Sequence, residues 1–506
     1  MPTIVGAARA NALLAPLGAC IALGAAVFVA RVLQPEAYAD YATLMALLTW
    51  ALMLSEAGCN MGLSRYLKEA ATLRARRSLY WALQRRRWLY SLGVAAAFCI
   101  TGPLWAKSAG LNSDHWRTIS FFLVGILAGV MLHGQLASSA LATIFQHARI
   151  LWLGQLMTIL RAICLASLAA ILRDPLALVC ALLIIAILES LLLHRTAIKY
   201  FHDENETLPP GFATVAQSHG LVSLFDKFST ALAGGPFLLL ILASVYSRKD
   251  LALLAIATDL LQKALSVAGL PITGLVLPLL HESRGDEVRF RLQLERLGGL
   301  VISWFSIITA AIAAILPIGF PLVLGIQYAP AVPVALVWLI PLFAESAIRM
   351  VWGAALLTAH QYRWLMIYNC VFSLAALSVV YLVKEQELLV LLASVGGVKL
   401  MMSFMVIVQA YRKGLAPAAS RPFGIILACV MCCLISLFVQ FHADGLSDVI
   451  RLIVGGFVYA LAMLVFLKFV PLIPAPAYDA LCSLAGRHVM VVKRVLAAPS
   501  ARFGRA

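Results

Sequence analysis

Long apolar runs alternate with short polar connections from one end of this chain to the other. A helix needs about 20 apolar residues to cross the roughly 30 Å of bilayer hydrocarbon. By that measure the pattern predicts about fourteen spanning helices. Their approximate limits are 11–31, 38–64, 88–106, 118–145, 150–172, 175–197, 219–246, 251–280, 297–319, 331–359, 364–383, 388–410, 423–440 and 450–471. An even number places both termini on one side. Residues 65–88 and 281–296 are predicted to be short amphipathic surface helices. Gly234-Gly235-Pro236 interrupts the seventh run, and Pro271 and Pro278 fall inside the eighth. Proline removes a backbone donor and kinks a helix, so these sites are either static kinks or hinges. The fold class expected is an all-α, polytopic membrane protein.

Composition supports this. Only 12% of the residues are charged and 62% are hydrophobic, whereas soluble domains carry about 25% charged residues. The net charge of +16 does not point to nucleic acid, because most of the basic residues sit in short connections, where Lys and Arg set membrane orientation. With the N-terminus inside, the inner connections hold Arg65, Lys68, Arg74, Arg76, Arg77, Arg85, Arg86 and Arg87. They also hold Arg284, Arg289, Arg291, Arg296, Arg412, Lys413 and Arg421, with a basic tail from Arg487 to Arg505. The expected topology is N-in/C-in, and these basic faces favour anionic membrane lipids. The first run is read as a retained span, not a cleaved leader. The Cys429-x-x-Cys432-Cys433 cluster has no partner pair at metal spacing and is read as packing.

A faint internal repeat divides the chain. Ala140-Leu141-Ala142-Thr143-Ile144-Phe145-Gln146 is matched by Ala355-Leu356-Leu357-Thr358-Ala359-His360-Gln361 after 215 residues. Ala57-Gly58 and Ala268-Gly269 are 211 apart. Both offsets span six helices and preserve direction. They predict two six-helix lobes in parallel repeat, about 1–210 and 211–415, then an additional helix pair (416–472) and a basic cytoplasmic tail (473–506). Parallel repeats are typical of transporters, with substrate held between them.

Charged residues near the middle of apolar runs carry the functional reading. Arg161, Glu189, Asp226, Lys227, Asp259, Lys263, Glu345, Arg349 and Lys399 are all so placed. A charge at mid-bilayer costs roughly 2.5–3.5 kcal/mol on insertion scales, on the order of 20 kcal/mol for the set if it faced lipid. They are therefore expected to face one another or an aqueous interior. Asp259 and Lys263 share a helix face at i,i+4, as do Glu345 and Arg349; adjacent Asp226 and Lys227 do not. Static ion pairs holding helices in register are one reading. In the functional alternative, Arg161, Lys227, Lys263, Arg349 and Lys399 bind an anionic substrate group, arginine gripping phosphate bidentately. Asp226, Asp259 and Glu345 then neutralise the cations or exchange a coupling ion. Lys399 is either a cavity residue or a partner for Glu345. Glu56 and Glu189, nearer the helix ends than the other charges, are expected to snorkel or cap. His133 and His194 are read as packing.

No phosphate loop, HExxH, GxSxG or EF-hand pattern occurs, so neither a cofactor, a catalytic metal nor ATP hydrolysis is expected. The outer connections are too short for the catalytic loops of a membrane polymerase or glycosyltransferase, which stands as a competing class beside a non-transporting scaffold.

Arg31-Val32-Leu33-Gln34-Pro35-Glu36-Ala37-Tyr38, followed by a long span closing in Gly62-Leu63-Ser64-Arg65-Tyr66-Leu67, resembles the polysaccharide exporters of the MATE-like flippase superfamily. So does Leu324-Gly325-Ile326-Gln327-Tyr328-Ala329-Pro330-Ala331 before the tenth span. The resemblance covers most of residues 1–415. It implies a V-shaped cavity between two lobes and export of an undecaprenyl-diphosphate-linked sugar repeat unit across the bacterial inner membrane. A polysaccharide polymerase and chain-length or export proteins are the implied partners. The extra helix pair resembles the lipid II flippases, but residues 11–30 carry no arginine, unlike their first span. That favours an exopolysaccharide or O-antigen unit. A multidrug/cation antiporter of the same superfamily is the alternative, and it favours an acidic cavity.

Overall fold

The computed structural model describes residues 4–69, 73–108, 118–143, 147–199, 211–232, 234–283, 286–359, 361–415, 421–443 and 445–469. Within them are sixteen α-helices and no strand. The first eight are α1 (Ile4–Glu56), α2 (Cys59–Glu69), α3 (Leu73–Ser108), α4 (Thr118–Thr143), α5 (His147–Leu172), α6 (Pro175–Ile198), α7 (Phe212–Ala231) and α8 (Gly235–Leu242). Then follow α9 (Arg248–Glu282), α10 (Glu287–Leu324), α11 (Ala331–Ala344), α12 (Ala354–Thr358), α13 (Tyr362–Val383), α14 (Leu388–Arg412), α15 (Arg421–His442) and α16 (Asp448–Phe469).

Twelve helical segments among the described residues are long and apolar enough to cross a membrane. Two expected spans lie in α1, whose candidate stretch runs 40 residues and bends at Gln34 (φ 65°, ψ 164°). Pro35 disfavours helical backbone at the residue before it, which places the bend there. The seventh expected span is the broken pair α7 and α8, interrupted as Gly234-Gly235-Pro236 predicts. The expected surface helices are not separate. Residues 73–88 are the first part of α3, and 287–296 open α10. No glycine or proline separates the first basic stretch from its span, and in α10 the helix runs on through Gly298-Gly299 at the join. Thr143 and Thr358, the matched threonines of the sequence repeat, each close a helix. Ala57-Gly58 and Ala268-Gly269 differ: the first breaks the chain between α1 and α2, and the second lies within α9.

The chain divides into two compact units, Met1–Ile256 and Ala257–Ala506, with the boundary inside α9. In the first unit α4 packs on α1, α3 and α6, and α5 on α1. Leu63, Leu67, Leu79, Leu83, Leu136 and Ala140 form a dry cluster at the α2–α3–α4 contact. α7 approaches the α1–α2 turn backbone to backbone. Gly58 adopts φ +74°, and a Cβ there would lie 2.4 Å from the Leu221 nitrogen; one on Gly220 would overlap the Gly58 carbonyl. Gln217 amide donates to the Ala57 carbonyl across the same contact at 3.3 Å.

In the second unit α14 packs on α11 and α13, and α15 and α16 pack on α10. Lipid is as apolar as leucine, so helix contacts there depend on close packing and on hydrogen bonds between helices. Tyr459 hydroxyl donates to the Ile307 carbonyl (2.7 Å), Gln440 amide to the Ala314 carbonyl (3.1 Å) and Ser436 hydroxyl to the Gly455 carbonyl (2.8 Å). Between α10 and α11, Gly325 takes φ +104° and accepts the Tyr328 amide at 3.0 Å. That turn buries Tyr328 completely, and burial holds its phenol well above the ordinary tyrosine range.

Gly58→Ala is expected to lower thermal stability more than Gly211→Ala. Both glycines have positive φ, costing alanine about 1 kcal/mol, but only Gly58 also meets backbone; nothing lies within 4 Å of a Cβ at Gly211. Thermal unfolding of the purified variants in detergent measures the difference.

Candidate functional site

The second unit gathers three of the predicted residues into one group. The helix that begins as α11 turns π-helical over Glu345–Gly353 before closing as α12. Such turns are rare and concentrate at functional sites. Glu345 opens the π segment and presents its carboxylate to α14, where Lys399 Nζ donates to Oε2 at 3.1 Å. Arg349 Nη1 stands 3.8 Å from the other carboxylate oxygen. Arg349 Nη2 donates to Asn369 Oδ1 on α13 at 2.9 Å. Lys399 also lies 5.1 Å from the Trp338 ring centroid, in cation–π range. Tyr368 hydroxyl donates to the Met402 carbonyl at 2.6 Å and holds α13 against α14 beside Asn369.

The charge balance of this group is uneven. Two cations share one carboxylate, so the triad holds a surplus positive charge at membrane depth. Their exposure is graded: the Lys399 side chain is 9% exposed, Arg349 19% and Glu345 34%. Lys399 is buried against an aromatic wall, while Arg349 and Glu345 reach a more open edge. A planar guanidinium at that edge can meet an anionic oxygen pair with two parallel donors.

Asp259 and Lys263, elsewhere in the second unit, form the i,i+4 pair their spacing predicts, at 2.6 Å. Both side chains are about two-fifths exposed (42% and 41%). In the first unit Arg161 pairs with Glu189 at 2.8 Å between α5 and α6. This pair lines a cavity of about 250 Å³ with Gln135, Ser138 and Ser190. Glu189 therefore does not snorkel, because a guanidinium one helix away satisfies it at depth. Glu56 is also buried, at 9% exposure. Asp226 and Lys227 lie in α7, but their side chains fall outside the described residues, as do those of Pro271 and Pro278.

Several site residues carried no sequence signal. Asn369 and Trp338 are ordinary span residues until α13 and α11 bring them to Arg349 and Lys399. Arg87, assigned to a basic connection, is 1% exposed and donates Nη1 to the Leu132 carbonyl at 2.6 Å. Successive residues on a helix point about 100° apart. Arg85 is accordingly exposed, Arg86 binds Gln217 and Thr214 on α7, and Arg87 enters the core. His133 and His194, read from the sequence as packing residues, lie with ring centroids 4.7 Å apart.

Residues 10–283 match a family model described as polysaccharide biosynthesis protein. The fold is similar to that of a structure titled lipid II flippase MurJ, inward closed conformation. That likeness has a TM-score of 0.68 at 13% identity and covers 90% of this chain and 98% of the other. Two structures of MATE, in complex with MaL6 and with MaD3S, each reach a TM-score of 0.53 at 12% identity, covering 80% of this chain and 96% of theirs. No curated protein matches by sequence. The chain belongs to the polysaccharide biosynthesis protein family.

Lys399→Met is expected to destabilise the protein by about 1–3 kcal/mol, because it removes the Glu345 hydrogen bond and leaves the carboxylate with only the more distant Arg349. Adding Glu345→Gln should recover part of that loss, a coupling of about 0.5–3 kcal/mol in a double-mutant cycle. Denaturation of the three variants in detergent reads the coupling.

Proposed function

We propose that this member of the polysaccharide biosynthesis protein family is a flippase and not an enzyme. Its cargo is an undecaprenyl-diphosphate-linked oligosaccharide repeat unit, carried across the bacterial inner membrane by alternating access for exopolysaccharide or O-antigen synthesis. One observation carries the reading: Arg349 and Lys399 share the single carboxylate of Glu345 at membrane depth. A diphosphate diester is a dianion, and a surplus of buried positive charge stabilises it where water is scarce. A multidrug cation would instead need a surplus of acid.

The roles divide by geometry. Arg349, at the open edge, meets the phosphate oxygens bidentately, and Lys399 adds a point charge held by Trp338 and Glu345. Lys263 and Arg161 carry their own counter-ions and serve as further anion contacts once substrate displaces the carboxylate. Lys227 is assigned the same role. Glu345, Asp259 and Asp226 neutralise the cations between cycles and exchange with a coupling ion. Both termini lie in the cytoplasm, and a polymerase and chain-length or export proteins receive the flipped unit. The family match and the flippase-like fold support this assignment.

Arg349→Ala and Lys263→Ala, expressed at normal levels, are expected to lower polymer output about tenfold or more, one lost charge-assisted contact being worth about 1.5–3 kcal/mol. Lipid-linked repeat unit should accumulate on the inner leaflet, measured by extraction and mass spectrometry. Unchanged output from both variants contradicts the assignment.

A further inference from the structure

The first unit holds a second titratable cluster that the anion site does not use. Tyr80, Gln84, Arg87 and Ser91 recur at i, i+4, i+7 and i+11 on α3, the spacing of one helix face, and each is at most 3% exposed. Opposite them stand His133 of α4 and His194 of α6, rings 4.7 Å apart. Tyr80 hydroxyl lies 3.4 Å from His194 Nδ1. Trp81 meets His194 edge-on at 5.6 Å, and Trp88 lies 5.5 Å from His133. Among the described residues His133 Nδ1, both ends of the Gln84 amide, and Arg87 Nε and Nη2 have no hydrogen-bond partner. Buried polar atoms are almost always paired, so this concentration calls for a ligand or a change of state.

We infer that the His133–His194 pair is a proton-binding site whose charge state sets how tightly α3 packs on α4. Two imidazoles this close, with a permanent guanidinium beside them, have room for one proton; a second would put three cations together. The facing groups are few. α3 contributes Tyr80 and Arg87, the end of α1 Glu56, and the start of α2 Cys59, the last two acting on Arg87. The Arg161–Glu189 pair lies by the α4–α6 contact and is self-neutralised. Gly134 and Leu193, the next residues beside each histidine, line the 250 Å³ cavity of that pair. A proton taken up by the histidines repels Arg87 and loosens the α3 face; its release to water restores the packing. Histidine is the side chain whose ordinary titration range suits such exchange. Only the use of the proton in transport rests on the flippase reading; its binding does not.

Tryptophan provides the test, because a protonated imidazole quenches an adjacent indole. The intrinsic fluorescence of the purified full chain in nanodiscs, without substrate, is titrated from about pH 8 down to about pH 4, a range wide enough for a buried imidazole pair that shares its surroundings with a guanidinium. The wild type should show a reversible step. His133→Gln and His194→Gln should each lose most of it while keeping the helical circular dichroism. Should either glutamine variant fail to fold, Trp81→Phe with Trp88→Phe leaves the histidines in place and must erase the step. A flat wild-type titration, or a step that survives in the histidine or tryptophan variants, overturns the inference. None of these outcomes involves the Arg349 phenotype, so the two readings fail separately.

Discussion

The cost of an ionised group in hydrocarbon governs this protein. At about 2.5–3.5 kcal/mol for each unpaired charge near mid-bilayer, a chain of marginal stability tolerates such groups only where something compensates them. Compensation takes two forms here. Arg161 with Glu189, and Lys263 with Asp259, are one-to-one pairs at short distance. Glu345 instead divides its charge between Lys399 and Arg349, and Asn369 and Trp338 supply a hydrogen bond and a ring face in place of a second carboxylate. A group balanced by neutral partners retains attraction for an anion. The triad is thus where structure and binding function coincide.

The same constraint shapes the framework. Within a bilayer, leucine against leucine gains little over leucine against lipid, so orientation is fixed by close backbone approach and by side chains that donate to carbonyls. Gly58 and Gly220 supply the first. Tyr368 to Met402, Tyr459 to Ile307 and Trp304 to Ala268 supply the second, each at 2.6–2.7 Å between two helices of the second unit. Asp40 of α1, almost fully buried, meets Arg248 in the first turn of α9 at 3.5 Å and ties that turn to the post-kink half of α1.

Much of this was legible in the chain. Hydropathy located the spans because a bilayer imposes length and apolarity on each helix independently of its neighbours. The i,i+4 spacing foretold Asp259–Lys263 and Glu345–Arg349 because helical neighbours are fixed by local geometry. Contacts between helices were legible only where charge offered a partner, as Lys399 did for Glu345. Nothing local marks Asn369 as the partner of Arg349, or brings His133 to His194 across sixty residues of chain. The Arg85-Arg86-Arg87 run misled for a related reason. Loop composition treats three arginines alike, whereas a continuous helix sends them to solvent, to α7 and to the core. The stripe Tyr80–Gln84–Arg87–Ser91 was the available clue.

The central claim is that the surplus charge of the triad borders water and not lipid. Its most direct test is labelling of a single cysteine at position 349, in a chain whose native cysteines are replaced, by a membrane-impermeant maleimide applied from each side of the membrane. A cysteine at position 374, on the exposed apolar face of α13, serves as the lipid-facing control. The account predicts that position 349 reacts from at least one side while 374 stays inert. Equal inertness of both positions from both sides would contradict it.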